Sequence, residues 1–304
     1  MFIFDFSLDK VSASIENSSA SSEEKNPSDP VSIFKAAEGE IFSLAFHENF
    51  LLVGSCGQVI GYSWSPNQGK VIKKAWNIII PVSSECKGID EVNSLWINVN
   101  ENSVYIGCGD NNIYCASLED GKIIRKFTGH SDYIHSVQGN NNQIISASED
   151  GSVKGWDPRE KNATFTVEPY KNPEIHRPEF GKWQGTASIS NDWFVCGGGA
   201  RFAMFHLRTM QCTNVFAFPS PVHVSAFIDE QIFVGGHYKN VYQYSFNGDV
   251  VSEIPISGSA AYSAVWQNTP HKILSVCGTS NNIDICNFNY KDTTLNFYKK
   301  EETI

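Results

Sequence analysis

The chain has 304 residues, 41% of them hydrophobic, enough for one large β domain or two small ones. A net charge of −10, with no block of Lys or Arg, argues against a stand-alone nucleic-acid binder, whose affinity would come mainly from phosphate contacts. No stretch has the roughly 18 unbroken apolar residues of a membrane helix, and the opening MFIFDFSLDK lacks the basic region and long apolar core of a secretory signal.

Residues 2–6 read as a short strand, and residues 31–34 as a strand following it. Residues 9–30 between them are rich in Ser, Glu and Asn and poor in apolar side chains. They cannot repay the entropy of ordering, so an acidic, Ser-rich mobile loop is expected there. Six similar units follow. The first, GEIFSLAFHENFLLVGSCGQVIGYSW, ends its third strand at Trp64 and has a fourth strand at 70–78. The second, EVNSLWINVNENSVYIGCGDNNIYCASL, ends its third strand near Ala116 and has a fourth at 121–127.

The third unit is the most informative. It opens with Gly129-His130 and closes with Trp156-Asp157, with β-patterned runs at 134–138, 143–147 and 152–156. The turns GNNN and EDG between them are hairpin chemistry, and a fourth strand is expected at 163–169. An insert, YKNPEIHRPEFGKW at 170–183, is broken by two prolines and a glycine. Three further units put Phe205, Tyr244 and Cys286 in the place of Trp156, with fourth strands at 212–218, 250–256 and 294–298.

A period of about forty residues, with GH and WD bracketing one unit, is the pattern of a WD-repeat β-propeller with four-stranded blades. The expected fold is therefore all-β, a seven-bladed family with six complete blades and an N-terminal half blade, forming one domain over residues 1–304. The two inner strands of the half blade would precede Phe2. Either the sequence is a truncated or alternative product, or six blades close the ring and the half blade packs at the seam; truncation is the preferred reading. In the third unit His130, Ser148, Asp150 and Trp156 are expected to form a buried structural relay from indole through hydroxyl and imidazole to carboxylate. A His–Asp–Ser set also suggests a hydrolase triad, but the spacing is that of the blade and the Trp completes it. The eight cysteines include no CxxC pair. Four of them recur at matching places in different units, where they are separated in space and read as buried thiols.

Catalysis is not expected, nor is any metal or cofactor. His47, His135, His206, His223, His237 and His271 show no metal-site spacing, and the CGGG run at 196–199 lacks the Lys-Ser/Thr of a phosphate loop. Blade-connecting loops commonly carry partner contacts, which nominates Tyr170, His176, Arg177, Lys182 and Trp183 of the insert. Trp156-Asp157-Pro158-Arg159 also fits the WDxR pattern of propellers that dock on cullin–RING ubiquitin ligases as substrate receptors, with Arg159 as the adaptor contact.

The strings FTGHSDYIH, SEDGSVKGWDPR, YKNPEIHRPEFGKWQG and NDWFVCGGG followed by FHLR, in that order and spacing, resemble the THO complex subunit 6 family of WD-repeat propellers. The resemblance implies a seven-bladed, non-catalytic scaffold in the THO core of the nuclear transcription–export assembly, acting in messenger RNA processing and export. It implies other THO subunits as partners, notably the coiled-coil subunits 5 and 7, with messenger ribonucleoprotein met only indirectly. No membrane and no small-molecule substrate are expected.

Overall fold

Short strands joined by tight Gly, Asn and Asp turns satisfy their backbone groups most cheaply against the strand that comes next in sequence. The computed structural model describes residues 2–3, 32–47, 50–65, 70–81, 91–140, 143–268, 272–287 and 291–296. The loop expected at 9–30, together with Phe6 and His271, lies outside the described residues. Within them the chain forms six four-stranded antiparallel meanders, each with its strands in sequence order, arranged as the blades of a propeller. The blades span residues 41–79, 92–128, 134–167, 184–215, 222–255 and 261–296. A two-stranded sheet precedes them, Phe2–Ile3 against Ser32–Ile33. The outer strand of blade four was expected to reach residue 218 but ends at Val215. Beyond it Phe216 and Phe218 turn inward to fill the space between blades four and five.

Each blade has apolar side chains on both faces, so its core is shared with a neighbour. Leu52, Val59, Trp76 and Ile78 of blade one pack on Val92, Val104, Ile106 and Tyr114 of blade two. The same arrangement joins blades two and three, three and four, four and five, and five and six. Trp76 bolts the first interface: its indole N–H donates to the Leu118 carbonyl at 2.8 Å. The other face of blade one is covered by the segment leading into it. There Phe34 and Ala36 pack on Leu51, Val53 and Tyr62, and the Tyr62 hydroxyl donates to the Ala36 carbonyl at 2.6 Å. No disulfide joins any of the seven described cysteines.

Strand register fixes which residues are equivalent. In blade three Trp156 lies opposite Ile144. The corresponding rung holds Ala116 opposite Val104, Phe205 opposite Phe194, Tyr244 opposite Ile232, and Cys286 opposite Leu274. In blade one the rung holds Tyr62, opposite Leu51, and not Trp64 as the sequence spacing suggested. The third strand there, Gln58–Ser65, runs on past the rung, which carries Trp64 out to an edge-on contact with Phe46 at 5.7 Å.

One occupant of this rung is incompletely matched. Tyr244 is fully buried, and its hydroxyl has no hydrogen-bond partner. Burial pushes its ionisation up to about 12, so the group stays a neutral, unsatisfied hydroxyl. An orphaned buried hydroxyl costs free energy that its removal returns. Tyr244→Phe is therefore expected to leave stability unchanged or raise it by up to about 1 kcal/mol in urea unfolding. A clear loss of stability would show that the hydroxyl is satisfied.

Candidate functional site

Two polar constellations stand out from the apolar blade interfaces. The first is the relay inside blade three. The Trp156 indole N–H donates to Ser146 Oγ at 2.9 Å, Ser146 Oγ lies 2.8 Å from His130 Nε2, and His130 Nδ1 lies 2.8 Å from Asp150 Oδ2. An indole nitrogen can only donate, so it sets the direction of the chain. Ser146 donates to Nε2, and Nδ1 carries the proton that is given to Asp150. Burial pushes the His130 imidazole below its ordinary range, against the pull of Asp150, so the ring is neutral. Burial also acts to raise the Asp150 carboxyl. The hydrogen bonds from His130, Ser152 and the Ser131 N–H outweigh it and hold the group ionised, well below the usual carboxylate range.

Ser148, expected to carry the relay hydroxyl, does not. Ser146 and Ser148 share a strand face, but only Ser146 lies one diagonal step from Trp156, within reach of the indole. Ser148 ends its strand and serves the turn: its hydroxyl donates to the Asp132 carbonyl at 3.0 Å and accepts from the Asp150 N–H at 3.1 Å. The positions equivalent to Ser146 in the other blades are Val53, Ile106, Cys196, Val234 and Val276, all buried. Ser146 has no exposed surface, so it is not a nucleophile open to substrate.

The second constellation surrounds one mouth of the central channel. In every blade the innermost strand carries one β-bulge, just after its first residue. A bulge leaves one residue out of the ladder and re-aims its side chain. The six bulged residues are Phe42, Asn93, His135, Gly185, His223 and Tyr262, and all six line a single cavity of about 370 Å³ with Glu149 and Trp183. Their sequence signal is modest: in five of the six blades the bulged residue immediately precedes a Ser or Thr, at Ser43, Ser94, Ser136, Thr186 and Ser263. Several of these hydroxyls tie neighbouring innermost strands together. Ser43 Oγ donates to the Val92 carbonyl at 2.7 Å, and Thr186 Oγ1 lies 3.0 Å from Ser225 Oγ.

Position 185 must be glycine because the Trp183 indole occupies its side-chain space; an added Cβ would lie 2.7 Å from that ring and 2.5 Å from the Val222 carbonyl oxygen. The Trp183 N–H donates to the Phe180 carbonyl at 2.9 Å. Its ring stacks on His223 at 5.5 Å, and His223 meets Tyr262 edge-on at 4.8 Å. His135 Nε2 lies 2.9 Å from Glu149 Oε2. Burial, then the nearby His237 and His135, lowers the His223 imidazole to about 4.

The insert wraps this mouth through two 3-10 turns, Pro169–Lys171 and Pro178–Phe180. Its nominated residues divide. His176 and Lys182 are exposed, Trp183 points into the cavity, and Tyr170 is partly buried with its hydroxyl donating to Glu168 at 2.9 Å. Arg177, expected as an exposed anchor, is instead only 3% exposed. Its guanidinium donates to the carbonyls of Gly199 at 3.1 Å and Ser220 at 3.1 Å and lies over the Phe180 ring. The prolines around it turn the chain so that Arg177 closes the gap between the insert and the next blades, and it acts as a staple. Arg159 is exposed, and its guanidinium is clipped in two-point fashion to Asp157 of the same turn. That pairing holds the Asp157 carboxyl at about 2. Among the described residues no group of three or more His, Cys, Asp or Glu side chains could hold a metal ion.

Residues 121–157 match the WD domain, G-beta repeat family. The matched stretch takes in the outer strand of blade two and the first three strands of blade three, so the sequence repeat is offset from the blade by one strand. The chain is 40% identical over 282 residues to THO complex subunit 6 of Drosophila melanogaster, covering 91% of this chain and 81% of that protein. It is 31% identical over 289 residues to THO complex subunit 6 of Homo sapiens, covering 92% and 84%. Among solved structures, the WD40 β-propeller domain of Doa1 superposes with a TM-score of 0.70 at 14% identity, over 86% of this chain and 84% of that one. That likeness concerns the fold.

Two predictions follow from the geometry of the site. Ser146→Ala orphans both the Trp156 N–H and His130 Nε2, and is expected to cost about 1–3 kcal/mol in chemical unfolding, as are His130→Ala and Asp150→Ala. Ser148→Ala is expected to cost clearly less than Ser146→Ala; the reverse order would place the relay hydroxyl at Ser148. The second prediction concerns pH. His223 takes up its proton only near pH 4 when folded, but near its ordinary value of about 6.5 when unfolded. The unfolded chain then binds the extra proton between those values, so stability is flat above about pH 6.5 and falls as pH drops toward 4. The urea midpoint should decline across that window, and less steeply in a His223→Gln variant.

Proposed function

Because the chain belongs to the THO complex subunit 6 family, we propose that it is a component of a THO complex, where it acts as a non-catalytic scaffold in messenger RNA processing and nuclear export. The observation that carries this reading is the similarity to THO subunit 6 proteins along nine-tenths of the chain. Its working partners are other THO subunits, in particular the coiled-coil subunits 5 and 7, and its place of action is the nucleus. The net charge of −10 supports contact with RNA through more basic partners and not by this chain alone. The buried relay supports a structural role for the one His–Asp–Ser set in the sequence. Blade-connecting loops are the preferred contact surface, and on the insert they offer His176, Phe180 and Lys182 to solvent. Tyr170 and Trp183 back that surface from beneath, and Arg177 holds it in place.

Affinity purification of the tagged chain from nuclear extract, with and without nuclease, tests the proposal. THO subunits are expected in both samples. A double variant, His176→Asp with Lys182→Glu, is expected to lower their recovery several-fold while leaving thermal unfolding unchanged. Recovery of a cullin adaptor in their place, lost on Arg159→Ala, would overturn the THO reading in favour of a ligase receptor.

A further inference from the structure

The channel-mouth cavity has a chemistry that blade packing does not require. In five of the six blades the bulge takes a side chain out of the two packing faces, so those side chains are not set by the blade cores; Gly185 of blade four has none. Three of the surrounding groups are nonetheless aromatic: Phe42, Trp183 and Tyr262, the last 51% exposed. A carboxylate, Glu149, opens onto the same space. The Asn93 amide nitrogen donates to the Ile134 carbonyl at 3.0 Å, which leaves its side-chain oxygen as an acceptor. A volume of about 370 Å³ lies at the small end for ligand pockets and suits a single long side chain.

Aromatic faces beside a carboxylate select a weakly hydrated cation. The ring quadrupole attracts positive charge, and the carboxylate supplies directional acceptors. Guanidinium matches best. It is planar, stacks on indole and phenol rings, and forks onto a carboxylate with two parallel hydrogen bonds, whereas an ammonium is a compact, strongly hydrated point charge. We infer that the channel mouth is a receptor for one arginine side chain carried on an extended segment of a partner protein, stacked against the exposed Tyr262 ring beside the Trp183–His223 pair and paired with Glu149. Glu149 now meets His135 in a partly exposed pair, which a two-point guanidinium contact can replace. The acidic balance of the chain adds a favourable long-range potential for such a ligand. The inference does not rest on assembly into a THO complex: peptide binding to the isolated chain reads it, and failure to recover THO subunits would leave that binding untouched.

Isothermal titration calorimetry with an acetylated, amidated Gly-Ser peptide holding one central arginine tests it. Companion peptides carry citrulline, lysine or trimethyl-lysine at the same place. The arginine peptide is expected to bind at least about tenfold more tightly than the citrulline peptide, a difference of roughly 1.4 kcal/mol. Glu149→Gln and Tyr262→Ala are each expected to weaken it by a similar factor. Tyr262 is half exposed, so its variant remains folded, which thermal unfolding checks independently of Glu149. No arginine-peptide binding up to about 1 mM overturns the inference. Equal binding of citrulline, unchanged affinity in Glu149→Gln, or a preference for trimethyl-lysine over arginine overturns it equally.

Discussion

A four-stranded antiparallel sheet with apolar side chains on both faces cannot bury itself. Everything else in this molecule follows from the need of each blade for a neighbour on either side. Five of the apolar clusters straddle a blade boundary, each drawing on both sheets. The ends of the series face the same demand. Blade one meets it with the segment that leads into it, through Phe34, Ala36 and the hydrogen bond from Tyr62. Stability in such an architecture is close to a sum of blade terms and boundary terms, so a fault at one boundary is felt by two blades.

Polar groups enter this apolar scheme at low cost where they are matched. Blade three takes in an indole, a hydroxyl, an imidazole and a carboxylate, and each meets the donor or acceptor that its neighbour lacks. The other blades fill the hydroxyl position with Val, Ile or Cys and hold their third strands by packing. Tyr244 shows the consequence of mixing the two solutions: an aromatic of the right size whose hydroxyl is left without a partner, in a blade that has Val234 where blade three has Ser146. Arg177 follows the same logic, admitted to the interior because backbone carbonyls receive its donors.

The repeating fold was legible in the sequence because it is written locally. Turn residues, strand-length runs and a period of about forty residues gave the blades and most strand ends. Where a half blade was expected, the described residues form a two-stranded sheet of Phe2–Ile3 and Ser32–Ile33. Four details were not legible, and each depends on register or on long-range contact. Ser146 and Ser148 share strand, face and chemistry, and only the stagger against Trp156 separates them. Trp64 looked equivalent to Trp156 until the longer third strand of blade one placed Tyr62 on the rung. Arg177 sits in a polar, Pro-rich stretch that reads as surface, and the carbonyls that bury it come from residues 199 and 220, far along the chain. The ring of bulged residues at the channel mouth is the largest omission. A single extra residue leaves almost no trace in hydrophobic alternation beyond the Ser or Thr that follows it.

The bulge also separates two kinds of evolutionary freedom. Most substitutions in a propeller strand disturb a boundary core and are felt by two blades at once. The five bulged side chains at the channel mouth belong to neither core, so they can be exchanged at less cost to folding. A lineage can therefore retune what enters the channel one blade at a time while the scaffold stays fixed, and a protein engineer can do the same. The exception is blade four, where Gly185 has ceded its place to Trp183 and any side chain would first have to evict the indole.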